Sequence, residues 1–361
     1  MVTSLFEITD GARFAAAEAL LRTRPPDVGV VLAEFVAHEH FGKSGKARAL
    51  TGERDRNFLI FDQPGQSYVL KFYNSAEDAE TRSLQHNALR HVHKRENRCP
   101  VPSLHQTLDG NDECFVSVDD AKCAVAMIGL LPGINPGADD INTSLRMDVG
   151  RVVGLLSRAL SDYDHPGANR TILWDMMLVG ELKPLIALIN DIQRRASLER
   201  WLSHFAQHVH PAAAQLPYQI IHNDLSLSNI LVDPERRNQV VGIIDFGDIV
   251  RAPRINEFAI AASYFMTPDT DCISAMAEVL LGASGSLTFT AEEAYLIPDL
   301  IKARLATRIL LSGWRAQLFP DNTSYIMRSN AAAWSLWELL DEQPITEQSR
   351  RLFSLASGVI A

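Results

Sequence analysis

Two acids and an amide stand close together in one stretch of this 361-residue chain: Asp224 and Asn229 in His222-Asn-Asp-x4-Asn, and Asp245 in the following Asp245-Phe-Gly. Such a set suits phosphoryl transfer, in which a protein positions groups and neutralises charge more than it forms bonds itself. In that chemistry Asp224 accepts the proton of an attacking hydroxyl. Asn229 and Asp245 hold Mg2+ against the phosphates of a nucleoside triphosphate, while His222 braces the loop and Phe246 packs behind it. A plain hairpin with surface acids is the bland alternative, and it gives no reason for Asp-Phe-Gly to follow at a second strand end.

The elements that must position these groups are short. Ile220-Ile221, Ile230 to Val232 and Val240 to Ile244 are β-branched runs, and the polar turn opening at Asp233-Pro234 joins the last two as a hairpin. That hairpin carries Asp224, Asn229 and Asp245 to one end of a ribbon. Upstream, Ala47 to Leu50, Phe58 to Phe61 and Ser67 to Tyr73 read as strands, with Thr51 to Asn57 as a loop and Asp62-Gln63-Pro64-Gly65 as a turn. Lys71 lies mid-strand among core residues, so its ammonium needs a fixed anion or a path to water. In a phosphotransferase that anion is the α/β-phosphate. The loop would cover the phosphates, and with Gly52 as its one glycine it relies on Arg54, Arg56 and the Asn57 amide for donors.

Residues 76–93 carry apolar side chains at helical spacing. Such a helix normally offers an acid to the lysine, but Gln85 holds the facing position, with Glu77 and Glu80 as acids nearer its start. Strands at Glu113 to Val118 and Ala124 to Ile128 then lead to Gly129-Leu-Leu-Pro-Gly133, a lobe boundary. Backbone groups from Ile128 to Leu130, freed of a sheet partner, are expected to meet a purine. Two helices, near residues 10–21 and 28–40, are expected to pack on the small lobe.

Charged residues make up 22% and apolar residues 47%, as in ordinary globular enzymes. The net charge of −10 argues against a nucleic-acid partner and suits a cationic substrate. Cys99, Cys114, Cys123 and Cys272 lack metal-ligand spacing and read as reduced packing thiols. Glu7 and Asp10 stand where a signal peptide would want a basic start and an apolar core, and no apolar run approaches a membrane span, so a cytoplasmic location with no membrane partner is expected.

Beyond residue 140 the pattern is helical. Asn142 or Thr143 caps a stripe from Leu145 to Leu160, and residues 181–209 give further helices. Between them Arg170-Thr-Ile-Leu-Trp174-Asp175 either lines a substrate pocket or caps the helix below. After Asp248 the chain reaches Ile255-Asn-Glu257 and the next helix almost at once, with no long activation segment and no Ala-Pro-Glu to dock a polypeptide, which points to a small-molecule acceptor. Asp248, Asp175 or Glu257 would meet its amines beside Trp174, and Arg304 its carboxylate.

His222-Asn-Asp224-x4-Asn229 with Asp245-Phe-Gly-Asp248 resembles the aminoglycoside phosphotransferase and choline kinase family. Within it, Gly52-Glu-Arg-Asp-Arg-Asn-Phe58, Leu131-Pro-Gly133, Ile172-Leu-Trp174, Asn229-Ile-Leu-Val232 and Gln317-Leu-Phe-Pro-Asp-Asn322 look most like the hydroxylysine kinase branch. The resemblance spans about residues 45–340. It implies an α+β, bilobal, protein-kinase-like fold. An N-terminal nucleotide-binding lobe of antiparallel sheet plus helices would cover residues 1–129, and a mainly helical catalytic and substrate-binding lobe residues 130–361. It implies Asp224 as base, Asn229 and Asp245 on Mg2+, Lys71 on the phosphates and GTP or ATP as donor. Sister branches act on choline or ethanolamine, homoserine or aminoglycosides. Two positions depart from the wider pattern, Asn223 for glycine and Gln85 for glutamate, and they motivate a second reading as a catalytically inactive nucleotide-binding regulator.

Overall fold

A computed structural model describes residues 11–361 apart from 53, 64 and 120. Glu7, Asp10, the loop residue Glu53 and Pro64 of the expected turn therefore lie outside the described residues. The small lobe is an antiparallel sheet of β1 (Lys46–Leu50), β2 (Arg56–Gln63), β3 (Gln66–Phe72), β4 (Leu104–His105), β5 (Cys114–Val118) and β6 (Ala121–Gly129). Its order is β1-β2-β3-β6-β4, with β5 also on β6. In β3, Tyr68, Leu70 and Phe72 alternate onto the buried face, which turns Lys71 to the other side. Asn57 of β2 lies directly opposite Lys71 in register. Helix Val30–Phe41 closes the buried face, packing Ala33, Val36, Ala37 and Phe41 on Phe58, Ile60, Leu70 and Phe72. The valine, isoleucine, leucine and phenylalanine side chains among these contribute roughly 1.5–3 kcal/mol each when fully buried.

The other N-terminal helix, Gly11–Arg22, packs elsewhere than expected. Phe14, Ala17 and Leu21 join the large-lobe core, and the Arg22 guanidinium lies 5.4 Å from the ring centre of Trp314. A buried stripe on helix Ala291–Leu318 gives those apolar side chains a larger surface than the small lobe offers. Helix Ala79–Arg95 starts three residues later than its periodicity suggests, because Asp78 caps it, accepting from the Thr81 N–H at 2.7 Å. Its Leu84, Ala88, Leu89 and Val92 also face the large core.

The large lobe is helical, with Thr143–Leu160 capped by Asn142 and Ala291–Leu318 opened by a Thr290/Glu293 capping box. Residues Met176–Leu188, expected partly as α-helix, form 3-10 turns instead. Pro184 removes a backbone donor there and short i to i+3 turns tolerate the loss. On this scaffold sit β7 (Tyr218–Ile221), β8 (Ile230–Val232), β9 (Val240–Ile243) and β10 (Val250–Pro253). β8 pairs with β9 and β10 returns to β7, both antiparallel. Two ladders thus close a ring around two loops, 222–229 and 244–249, which face one another. β10 and β4 are not among the strands expected from the sequence. Four residues ending in proline and a two-residue strand carry too little pattern to stand out.

Candidate active site

The first loop is fixed residue by residue. His222 and Asn223 each donate a backbone N–H to the Glu257 carboxylate, at 2.9 Å. His222 Nε2 meets the Ile244 carbonyl at 3.0 Å and its Nδ1 accepts from the Asp224 N–H at 3.3 Å, a pattern that fits the Nε2–H tautomer. Its ring packs on Phe246 at 4.7 Å between centres. Asn223 adopts φ +67°, the left-handed region that asparagine tolerates better than most residues, so it fills the place of a glycine. Asp224 is gripped at both oxygens: Arg304 Nη2 donates to Oδ1 at 2.8 Å and Asn229 Nδ2 to Oδ2 at 2.6 Å. Asn229 Oδ1 accepts nothing from the described residues.

Two expected acceptor groups are therefore committed elsewhere. Glu257 is 1% exposed and spends its carboxylate on the loop backbone, because those two amides need an acceptor once the chain turns through Asn223. Arg304, also 1% exposed, spends its guanidinium on Asp224 and on the Trp174 carbonyl at 2.9 Å, since a buried cation needs the nearest anion. Its charge also lies near the rings of Trp174 and Tyr264, at 5.5 and 5.6 Å. Asp175 caps the 3-10 segment, accepting from the Met177 N–H at 2.9 Å.

On the small-lobe side, Lys71 Nζ lies 2.8 Å from Asp55 and 3.9 Å from Asp245. Gln85 does not approach it: its amide donates to Glu77 at 2.6 Å, deep in the lobe junction. Arg54 reaches across the cleft to Asp248 at 2.7 Å. A side chain on Gly247 would crowd that guanidinium, with Arg54 Nη2 only 3.0 Å from a Cβ there. The Asn57 side-chain oxygen Oδ1, on the Lys71 face, is buried with no hydrogen-bond partner. The purine edge differs from expectation. Ile128 is flanked by Val69 of β3 and Leu104 of β4, and the amides of Gly129 and Leu130 already donate to Ser103 and Ser67. The unforeseen β4 and the return of β3 supply those partners.

Electrostatics separate the two acids. Burial pushes Asp224 up to about 6, aided by the charges of Asp245 and Asp248 and opposed by Arg304. Asp245, its side chain half-exposed, is also penalised for leaving bulk water, yet Lys71, Arg54 and the Gly247 N–H outweigh that cost and hold its carboxyl below the usual range. A pair of carboxylates driven apart in this way assigns one to proton transfer and the other to permanent charge. Asp245 itself sits at φ +65°, a strained setting for a non-glycine residue, which its 3.2 Å bond from the Gly247 N–H supports. Among the described residues no three His, Cys, Asp or Glu side chains cluster as a complete metal cage. One carboxylate and one amide oxygen fit Mg2+, which keeps waters and takes phosphate oxygens for the rest of its shell.

Of the residues singled out in the sequence, Asp224, Asn229, Asp245, Asp248, Lys71, Arg54 and Arg304 meet around one cleft. Asp55 was missed. Its one signal is that it stands two residues before Asn57, the register partner of Lys71.

A family model described as phosphotransferase enzyme family matches residues 46–291. A hydroxylysine kinase of Mus musculus is 26% identical over 323 residues, covering 83% of this chain and 85% of that protein. Among solved structures, an amicoumacin kinase in complex with AMP-PNP and Ca2+ superposes with a TM-score of 0.64 at 17% identity, covering 91% of this chain and 97% of that one. The GDP complex of an aminoglycoside 2'-phosphotransferase gives 0.60 at 14% identity, covering 89% and 100%. These likenesses establish a bilobal, kinase-like α+β fold. No helix among the described residues is long and apolar enough to cross a membrane.

Proposed function

The chain belongs to the phosphotransferase enzyme family and is a phosphotransferase acting on an alcohol, and from that premise we propose that it is a small-molecule kinase using GTP or ATP with Mg2+. Its acceptor is a hydroxylated amino acid or amine, hydroxylysine in particular, and it works in the cytoplasm. The observation that carries this reading is the geometry of two carboxylates on facing loops, Asp224 held by Asn229 Nδ2 at 2.6 Å and Arg304 Nη2 at 2.8 Å, and Asp245 with Lys71 Nζ at 3.9 Å. The mouse relative, named for hydroxylysine, supports the acceptor class.

Asp224, ionised above its raised pKa, takes the proton of the acceptor hydroxyl. The alcohol oxygen bonds to the γ-phosphorus as the bond to the β–γ bridging oxygen breaks, and the nucleoside diphosphate leaves with that electron pair. Asp245 and Asn229 Oδ1 would hold Mg2+, which neutralises phosphate charge when bound. Lys71, Arg54 and Asn57 serve the phosphates, while Asp248, Asp175 and Trp174 receive the acceptor amine. Arg304 and Glu257 position Asp224. Because Arg54 and Asp248 pair with each other in this structure, both roles require that pair to open as ligands enter.

The test is a thermal shift with Mg-ATP and Mg-GTP, followed by phosphate transfer to hydroxylysine, choline, ethanolamine, homoserine and an aminoglycoside. Stabilisation by nucleotide and turnover on hydroxylysine are expected. Stabilisation with no turnover on any acceptor favours the nucleotide-binding regulator, and no stabilisation at all overturns the kinase.

A further inference from the structure

The lysine of a kinase-like small lobe needs an anion to hold it in place, and in this chain the helix that would offer one presents Gln85 to Glu77 instead. We propose that Asp55, in the loop between β1 and β2, is the positioning residue for Lys71, so that the loop covering the phosphates also anchors the lysine that binds them. The inference rests on the nucleotide-binding reading above.

Asp55 is built for the task at both oxygens. Oδ2 lies 2.8 Å from Lys71 Nζ, and Oδ1 accepts the Asn74 N–H at 2.8 Å. The Asn74 amide in turn donates to the Arg54 carbonyl at 3.0 Å and the Arg24 carbonyl at 3.1 Å, so the carboxylate is tied to the end of the lysine strand and to its own loop. The side chains of Lys71 and Asp55 are 12% and 14% exposed, which shields their attraction from solvent. Beneath the ammonium lies the Tyr73 ring, 4.9 Å from Nζ, whose hydroxyl meets His86 Nε2 at 2.7 Å. Tyr73 thus packs against the lysine without adding a charge.

Gln85 cannot substitute. Its Nε2 is 2.6 Å from Glu77 Oε1, and Glu77 also faces Arg170 Nη1 at 3.7 Å, so the amide belongs to a strut between helix Ala79–Arg95 and the segment before Trp174. The Glu77 carboxylate feels the charges of Lys71 and Arg54 without bonding to either. A carboxylate at position 85 would face that of Glu77 at hydrogen-bond distance, which gives a physical reason for an amide there. The charge partner of the lysine is therefore a loop that also reaches the large lobe through Arg54, and not a carboxylate on the helix.

Asp55→Asn tests this with little change of shape, because the new amide oxygen can still accept the Asn74 N–H while the charge on Lys71 is lost. Nucleotide affinity is measured directly by calorimetry with Mg-ATP and Mg-GTP on the full chain, so that no acceptor is needed. The expected result is an affinity about 10-fold or more weaker in Asp55→Asn, the size of a lost charge-assisted bond. Lys71→Ala is expected to lose as much, and the double variant Asp55→Asn/Lys71→Ala no more than either alone, because Asp55 acts through the lysine. Additive losses, or a larger loss in Gln85→Ala than in Asp55→Asn, overturn the inference. Wild-type protein that binds neither nucleotide overturns the kinase reading and this inference with it, whereas wild-type binding unaffected by Asp55→Asn overturns this inference alone.

Discussion

The two loops that meet across the cleft are held by different physics. Loop 222–229 rests on a finished large lobe: Glu257 takes two of its amides, Asn135 donates to the Leu227, Ser228 and Ile230 carbonyls at 3.2, 2.8 and 3.0 Å, and Leu225 is fully buried. Loop 51–55 is held mainly by charge, Asp55 on Lys71 and Arg54 on Asp248, and those cations are the ones a triphosphate would attract. The contrast separates a rigid part that does the chemistry from a part whose contacts a ligand can trade. Changes in the first should register in kcat, and changes in the second in nucleotide KM.

Five variants break or sharpen that contrast. Asp224→Asn, which keeps shape and removes the base, should cost roughly 100- to 10,000-fold in kcat with nucleotide affinity little altered; a large loss of nucleotide binding instead would dissolve the division. Arg304→Gln should lower kcat about 10-fold. It should also move the acid limb of kcat/KM above its wild-type position at about 6, because a cation beside Asp224 favours the ionised form and its removal raises the pKa. An unmoved limb would show that Arg304 does not act on the base. Arg54→Ala should raise nucleotide KM about 10-fold and spare kcat, and the reverse pattern would place the loop in the chemistry. Smallest is the pair at position 223. Both variants remove an amide whose two polar atoms are buried without partners, so Asn223→Gly should hold or gain stability, and Asn223→Ala should be about 1–2 kcal/mol less stable than the glycine variant in urea unfolding, the cost of a left-handed alanine. Equal stability for the two would mean that the backbone there is free to relax.

The same contrast governs what the sequence disclosed. Asp224, Asn229 and Asp245 were legible because each follows or precedes a short apolar run, and strand ends fix side chains in register. Lys71 was legible because a cation amid Val69, Leu70 and Phe72 has to be explained. Asp55, Arg304 and Glu257 kept their roles hidden, for their partners lie far along the chain and only packing brings them together. An acid in a polar loop or an arginine on a long helix reads as surface until its burial is known. Helix Gly11–Arg22 misled for the same reason, since periodicity marks an apolar face and not what covers it.

The β8–β9 turn points away from all of this. Residues 234–238 are exposed, and Asp233 satisfies the turn locally by accepting the Glu235 and Arg236 amides at 2.9 Å. Because the paired strands on either side keep both working loops in place, this is where the polypeptide can be nicked, lengthened or given new termini with turnover intact. The same insertion placed at 244–249 would shift Asp245 from Lys71 and silence the enzyme.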